Sequence, residues 1–465
     1  MLNETQARKK AQELTREAGT EWMRLRRFVR YSRGQMRLPW LPDNAESEYR
    51  DIARKSVSNW AGLVVGSTAQ GLHLDGYGDR TDQPEASEDG GLWSRVWQPN
   101  GMDARQHALH RAVLTLGYSY MIVLPAEDGG VWMRPEAATS MFALYGDPTD
   151  EWPQFAVRRL DGKPMSRLAA DDKMAVELYD AEARYVVRGT QVETHPHELG
   201  VCPAVQMVGC VDLLGAPMGE IEPVIPILDR IVDATFNMQM ASKYGAFPQR
   251  WISGIDTTKP LEDAEGNPVT DVDGNPVYPS IKAYVDSIIT ASDPDTKFGQ
   301  FQAADLRQYV EALEAHVRHL AAITQTPPHY LLGDLVNLSA DALASAEAGL
   351  MRKVRDRQDV LGEGYEQALR LAAAIIGDDE AAADTSSQVH WQDVESRSLA
   401  QVADALAKLA TVGVPLPMLF EMIPGWTRTD VERAIQAIEE GDVIGRLVGE
   451  LTAAQTPPVG VGVDG

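Results

Sequence analysis

Apolar positions in this chain fall into a few long helical stripes separated by short alternating runs. The clearest stretch runs from Gln302 to Gly377. In its first half Leu306, Val310, Leu313, Val317 and Leu320 recur at steps of three and four, so a helix over 302–324 has one apolar face. Thr324-Gln-Thr-Pro327-Pro328 ends it, because both prolines lack a donor and Pro328 pushes its predecessor out of the α region. After a short segment, His329–Leu338, Ser339 can cap a second helix and Asp341 suits its dipole. Leu343, Leu350, Val354, Leu361, Tyr365, Leu369, Ala372 and Ile376 then lie near one face of a helix about 55 Å long at 1.5 Å per residue.

Elsewhere the pattern alternates between classes. Residues 3–33 read as a helix, Leu38-Pro-Trp-Leu-Pro42 breaks it, and a second helix is predicted from Ser47 to Gly66 with Trp60, Leu63 and Val64 toward the core. Gly71–Tyr77 alternates as a strand, and Asp79–Gly91 is a turn-rich acidic surface loop. Helices are predicted at Leu92–Asn100 and Met102–Gly117, and a hairpin from Ser119–Pro125 and Val131–Pro135. Phe155–Leu160, Lys173–Tyr179 and Tyr185–Arg188 add short strands, giving an α+β region with an antiparallel sheet in a chain that is predominantly helical. Glu220–Tyr244 reads as a helix with Val224, Ile227, Leu228, Ile231, Thr235 and Met238 in one stripe, and Pro223 and Pro226 suit its first turn. The segment before Gln302 has no helical period. It holds an internal repeat, Asp263-Ala-Glu-Gly-Asn-Pro-Val269 and Asp271-Val-Asp-Gly-Asn-Pro-Val277, whose Gly-Asn pairs signal two turns. Beyond Gly377 an acidic alanine-rich spacer, Asp378–Asp384, marks a boundary. A short strand at Ser387–Val394 and helices at Ser398–Val412 and Thr429–Glu440 follow, joined through Gly413-Val-Pro-Leu-Pro and Ile423-Pro-Gly-Trp426. Thr456–Gly465, rich in Pro, Gly and Val, is expected to be disordered.

Composition narrows the picture. A length of 465 residues allows two to four domains. A net charge of −25 makes a soluble protein and a poor general binder of nucleic acid, since tight phosphate binding needs clustered Lys and Arg. The exception is local: Arg24, Arg26, Arg27, Arg30 and Arg33 cluster on the first helix. They could touch nucleic acid, but a solvated face or a subunit contact is the favoured reading. Cys202 and Cys210 are the only cysteines, which build no disulfide framework and fit a reducing cytoplasm. No apolar run is long enough to cross a bilayer, and the N-terminus lacks a signal-type core.

Candidate chemistry is thin. His195-Pro-His197 could offer two imidazoles to a metal, but only Glu198 is near as a third ligand and no HExxH pattern occurs, so a turn with solvated histidines is expected. Asp293-Pro-Asp295 is better read as a turn. Gly209, Gly215 and Gly219 lack the spacing and the GK[ST] of a phosphate loop, and Ser67, Ser119 and Ser339 lack a GxSxG elbow. His316 and His319 read as polar-face or interface residues. No catalysis, cofactor or metal is expected.

The helix, the TQTPPHYLLG break, the NLSADALASAEAGL segment and the very long helix together resemble the portal proteins of tailed bacteriophages, particularly the long-tailed phages of actinobacteria. The resemblance extends from about Tyr49 to Asp442. It implies a portal fold: a wing over 1–218, a first stem helix over 219–246, a clip over 247–301 and an antiparallel second stem helix over 302–325. A tunnel loop over 326–339, a long kinked wing helix over 340–377 and a crown over 378–455 complete it. It further implies a homo-oligomeric ring of about twelve subunits with an axial channel. Gly333, Asp334, Leu335, Val336, Asn337 and Leu338 would face double-stranded DNA in that channel without sequence specificity. Asp263, Glu265, Asn267, Asp271, Asp273 and Asn275 would lie on the clip that contacts the head–tail adaptor. The other implied partners are the terminase large subunit and the capsid and scaffolding proteins, with no membrane. The implied location is the virion's portal vertex, reached from the host cytoplasm during assembly. Ring assembly would bury the striped helices, which have few apparent partners within one chain. Two rival readings stand beside this one: a nuclease of the packaging pathway and a non-viral helical scaffold or adaptor.

Overall fold

The computed structural model of the chain describes residues 1–78, 91–147, 149–161, 174–246, 250–253, 260, 266–272, 274–278, 297–300, 305–333, 340–392, 399–423, 431, 433–436 and 438. The chain divides into two units of interleaved segments. One comprises Met1–Gln35, Asn59–Pro226 and Leu320–Gly465, and the other Met36–Ser58 and Ile227–His319. The acidic loop 79–90, Asp293 and Asp295, most of the helix predicted at 429–440 and the tail 456–465 lie outside the described residues.

Helix α1 (Glu4–Ser32) begins with a reciprocal cap: the Gln6 amide donates to Asn3 Oδ1 at 2.9 Å and the Asn3 amide to Gln6 Oε1 at 3.0 Å. The single helix expected over 47–66 is two, α2 (Ser47–Lys55) and α3 (Trp60–Ala69). Asn59 separates them. Its Oδ1 accepts from the Gly62 amide at 3.0 Å, and its Nδ2 donates to the Ser32 carbonyl at 3.0 Å. The restart changes which residues face inward: Val64 is buried as expected, but Leu63 is 38% exposed and Trp60 is half-buried.

Strand β1 (Leu74–Gly78) and helices α4 (Gly91–Val96) and α5 (Met102–Leu116) fall where the sequence places them. So does the hairpin β2 (Tyr118–Pro125) with β3 (Val131–Ala137), in register from Ser119↔Ala137 to Pro125↔Val131. The strands β4 (Met141–Leu144), β5 (Phe155–Arg159), β6 (Ala175–Tyr179), β7 (Ala183–Arg188) and β8 (Gln191–Pro196) form a five-stranded antiparallel meander. Strand β9 (Ala204–Val208) returns to pair with β2, giving a separate sheet of order β3-β2-β9. The antiparallel region is thus two sheets. Three of these strands escape the sequence pattern: β4 alternates but is only four residues long, β8 is exposed almost throughout, and β9 is buried on both faces. Small residues at one face of α1, Ala7, Ala11 and Ala18 with Leu14, pack against Val157, Val176, Leu178, Tyr185 and Val187 of the meander.

A 3-10 turn at Glu222–Val224 leads into α6 (Ile225–Ala246); of the predicted stripe, Val224 in the turn and Ile227, Leu228 and Ile231 in the helix are buried, while Thr235 and Met238 are half-buried. Strands β10 (Arg250–Ser253) and β11 (Lys297–Gln300) pair antiparallel. Then come α7 (Leu306–Thr324), α8 (Pro328–Leu332) and α9 (Ala340–Ile375). With 36 residues, α9 is about 54 Å long. Its Leu350, Val354, Leu361, Tyr365, Leu369 and Ala372 are buried. The expectation that the long striped helices lack partners within the chain fails for α9, which packs against α3, α4, β2, β3 and β9. Two late elements were expected as linkers. The acidic spacer contains α10 (Asp379–Ala383), because Asp378 caps it by accepting from the Ala381 amide. After β12 (Gln388–Trp391) and α11 (Leu399–Val412), Pro415 serves as N-cap of a short α12 (Leu416–Glu421), a position where a missing donor costs nothing. Strand β12 pairs antiparallel with β1, and Trp391, His110, Tyr365 and Trp97 meet in tilted and edge-on contacts as one aromatic cluster.

Candidate functional site

The corner between α7 and α9 holds two left-handed residues, Gln325 and Gly333, within nine positions. At the end of α7 the Thr326 amide donates to the Ala321 carbonyl at 3.0 Å and the Gln325 amide to the Ala322 carbonyl at 3.4 Å. That pair of bonds is a Schellman closure, which places Gln325 in the left-handed region at φ +53°. A glycine would sit there without strain, so the neighbouring bonds must hold the glutamine. Thr324 Oγ1 donates to the Leu320 carbonyl at 2.8 Å and meets Thr326 Oγ1 at 2.9 Å, and both threonines are buried. Pro327 then caps α8, an extra helical turn where the sequence predicted only a break. Gly333, at φ +72°, ends α8 by donating its amide to the His329 carbonyl at 2.9 Å. Helix α8 is fastened to α9 through Glu347, whose Oε1 accepts from the Tyr330 hydroxyl at 3.1 Å and lies 3.8 Å from His329 Nε2.

Of the residues singled out for the channel, Gly333 is therefore a left-handed helix stop. Asp334, Leu335, Val336, Asn337 and Leu338 lie outside the described residues, as do Asp263, Glu265 and Asp273. Asn267, Asp271 and Asn275 are exposed. The second copy of the repeat folds as the turn its Gly-Asn pair predicts. The Asp271 amide donates to the Asn275 carbonyl at 2.9 Å, the Asn275 amide to Asp271 Oδ1 at 2.9 Å, and the Val277 amide to the Val269 carbonyl at 2.8 Å. Asp271 and Asn275 are thus brought together to close a hairpin whose Val272 is fully exposed.

Arg24 is engaged internally, with Nη2 2.8 Å from Glu21 Oε1 and Nη1 3.0 Å from Glu222 Oε2. Burial opposes its charge, but Glu21 and Glu222 outweigh burial and raise its pKa. Arg26, Arg27, Arg30 and Arg33 stay exposed. His195 is not in a turn: it lies in β8, one residue before its end and opposite Arg184, while His197 follows the strand. His197 Nε2 donates to the Asp180 carbonyl at 3.1 Å and Nδ1 accepts from the Leu199 amide at 3.3 Å, which fixes the neutral tautomer; burial lowers its pKa accordingly. Among the described residues no group of three His, Cys, Asp or Glu is placed to hold a metal, and no helix is long and apolar enough to cross a membrane.

Residues 20–442 match the family described as phage portal protein, SPP1 Gp6-like. The chain belongs to that family. The portal proteins of Mycobacterium phages D29 and L5 are each 29% identical to it, over 75% of this chain and 71% of theirs. Among solved structures, a chain in the neck of the empty GTA particle covers 84% of this chain and 95% of its own at 14% identity, with a TM-score of 0.45. A chain in the neck of the native GTA particle covers 84% and 96% at 15% identity, with a TM-score of 0.44. A portal protein is a structural component of the phage head, not an enzyme, so the nuclease and the non-viral scaffold fall away. Sequence reasoning missed the polar residues at the α7–α9 corner. One signal was available: Lys353 and Arg357 sit three and seven residues past Leu350, on the apolar face of α9.

Proposed function

We propose that this portal chain closes into a ring, dodecameric in the virion, at a single capsid vertex, with an axial channel for DNA packaging and ejection. The observation that carries this reading is the α7 stripe. Val317 and Leu320 are buried, yet Leu306 and Val310, on the same face, are 37% and 43% exposed. A helix that continues its apolar face into water is a face that a second copy can cover. In this reading 219–246 and 302–325 are the stem helices, 247–301 the clip for the head–tail adaptor, 326–339 the tunnel loop, 340–377 the wing helix and 378–455 the crown. The terminase large subunit and the capsid and scaffolding proteins are the remaining partners, and assembly takes place in the host cytoplasm.

Charge supports a conduit. Duplex DNA carries about one negative charge per 1.7 Å of axis, and a bore rich in Lys and Arg would hold it at every step. A net charge of −25 leaves the duplex hydrated and free to slide. Negative-stain images of the purified protein test the ring directly, with an annulus and central hole expected; a monomer at every concentration and salt tried would end the proposal. Deleting or stiffening 333–338 should leave rings intact and impair packaging or retention of DNA. Packaging at the wild-type level would remove the loop from the channel.

A further inference from the structure

The chain leaves the first unit along α6 and returns along α7, and one side chain holds the roots of both helices. Lys353, on α9, is 7% exposed. Its Nζ donates to the Thr324 carbonyl at 2.8 Å and to Glu220 Oε2 at 3.1 Å. Thr324 is the last residue of α7, and its carbonyl is one of those a helix end leaves without a partner. A cation there also meets the negative end of the helix dipole. Glu220 lies just before the 3-10 turn that starts α6. Its Oε1 accepts from Arg357 Nε at 3.2 Å, and its own amide donates to the Leu114 carbonyl at 2.8 Å. Behind it, Gly219 packs tightly on the end of α5: a Cβ would lie 2.8 Å from the Thr115 carbonyl.

Burying a lysine is a poor route to stability, because an apolar side chain of similar size packs as well without the desolvation cost. What an apolar residue cannot do is bond the terminal carbonyl of one helix and a carboxylate at the start of another in the same geometry. We propose that Lys353, with Glu220, is a positioning residue that ties the roots of α6 and α7 to α9, so that the two helices loosen or shift together and never singly. The tie does not depend on the ring reading; its use during DNA passage does.

Hydrogen exchange on the full chain, in whatever assembly it forms, tests the tie. In Lys353→Met, amides in 220–235 and in 315–333 should both exchange faster, by about tenfold or more, while those of the meander strands β5, β6 and β7 keep their wild-type rates. Because Lys353→Met leaves Glu220 buried opposite Arg357 alone, the double variant Glu220→Met with Lys353→Met is the companion. It removes the carboxylate along with the lysine and leaves Arg357 to Asp356, so no buried charge is stranded; it should fold and still show faster exchange at both roots. Lys353→Arg, which keeps the donors, should restore protection at both. Loosening at one root only, unchanged exchange at both, or a uniform loss of protection across the unit would overturn the proposal. Ring formation is scored separately by mass, so failure of the ring leaves this outcome readable.

Discussion

His110 shows how one buried side chain makes this fold sensitive to acid. Its Nδ1 lies 3.1 Å from the Leu72 carbonyl and its Nε2 2.9 Å from the Tyr365 hydroxyl. A neutral ring serves both bonds, with Nδ1 donating and Nε2 accepting. Burial pushes its pKa down to about 3, with His107 and His73 adding to the shift. The unfolded imidazole takes up a proton below about pH 6.5, but the folded one does not until about pH 3. Stability from this site is therefore complete above about pH 6.5 and declines as pH falls toward 3. The loss reaches about 2 kcal/mol near pH 5. Melting temperatures from pH 7.5 to 5 should fall more steeply for the wild type than for His110→Gln, and equal slopes would refute this. A second prediction concerns close approach. Gly219→Ala places a methyl against the Thr115 carbonyl and the Gly117 amide, at 2.8 and 2.9 Å, and should cost about 1–3 kcal/mol, read as a lowered melting temperature. Neither residue was legible as special in the sequence. A buried histidine and a packed glycine look like any other until the backbone that surrounds them is placed.

At the scale of elements, long stripes were readable and short pieces were not. The α1, α5, α6, α7 and α9 patterns each span enough turns for the 3.6-residue period to show, and the β2–β3 hairpin is marked by an apolar run on either side of the Asp128-Gly-Gly130 turn. The break between α2 and α3 was missed because Asn59 acts through its side chain, a choice that residue type alone does not force. Asn59→Ala should cost about 1 kcal/mol, since one atom caps α3 and another ties it to α1; a melt unchanged by the substitution would count against that double role. The exposed half of the α7 stripe carries a prediction of the opposite kind. Leu306→Ser with Val310→Ser should change the stability of the isolated chain by no more than about 0.5 kcal/mol each. The same pair should weaken ring closure, seen as a shift toward smaller species in sedimentation velocity.

For the whole molecule, the family was legible because order and spacing agree over most of the chain, although no single motif would have sufficed. The α7–α8–Gly333–α9 sequence carried the most weight, and its backbone turns where the prolines and the glycine require. What composition alone could not tell is where the charge lies: Arg26, Arg27, Arg30 and Arg33 remain an exposed basic strip on an acidic protein. Even so, the net charge predicts no retention of duplex DNA by the purified protein at about 0.15 M salt, with any binding at lower salt lost over a narrow range. Tight binding at that salt, measured by mobility shift, would contradict a sliding conduit.

The pairing of β1 with β12 has a consequence for synthesis. Leu74 leaves the ribosome long before its partner Trp391 exists, and at about 5–20 residues per second the wait lasts on the order of tens of seconds. Gln106 serves the Leu74 amide and carbonyl, but until Gln388–Trp391 arrives the rest of the edge that β12 covers is open to other nascent chains. A product terminated at Gly377 would contain every residue of α9 and yet remain permanently in that vulnerable state, so it should accumulate in the insoluble fraction where the complete polypeptide does not.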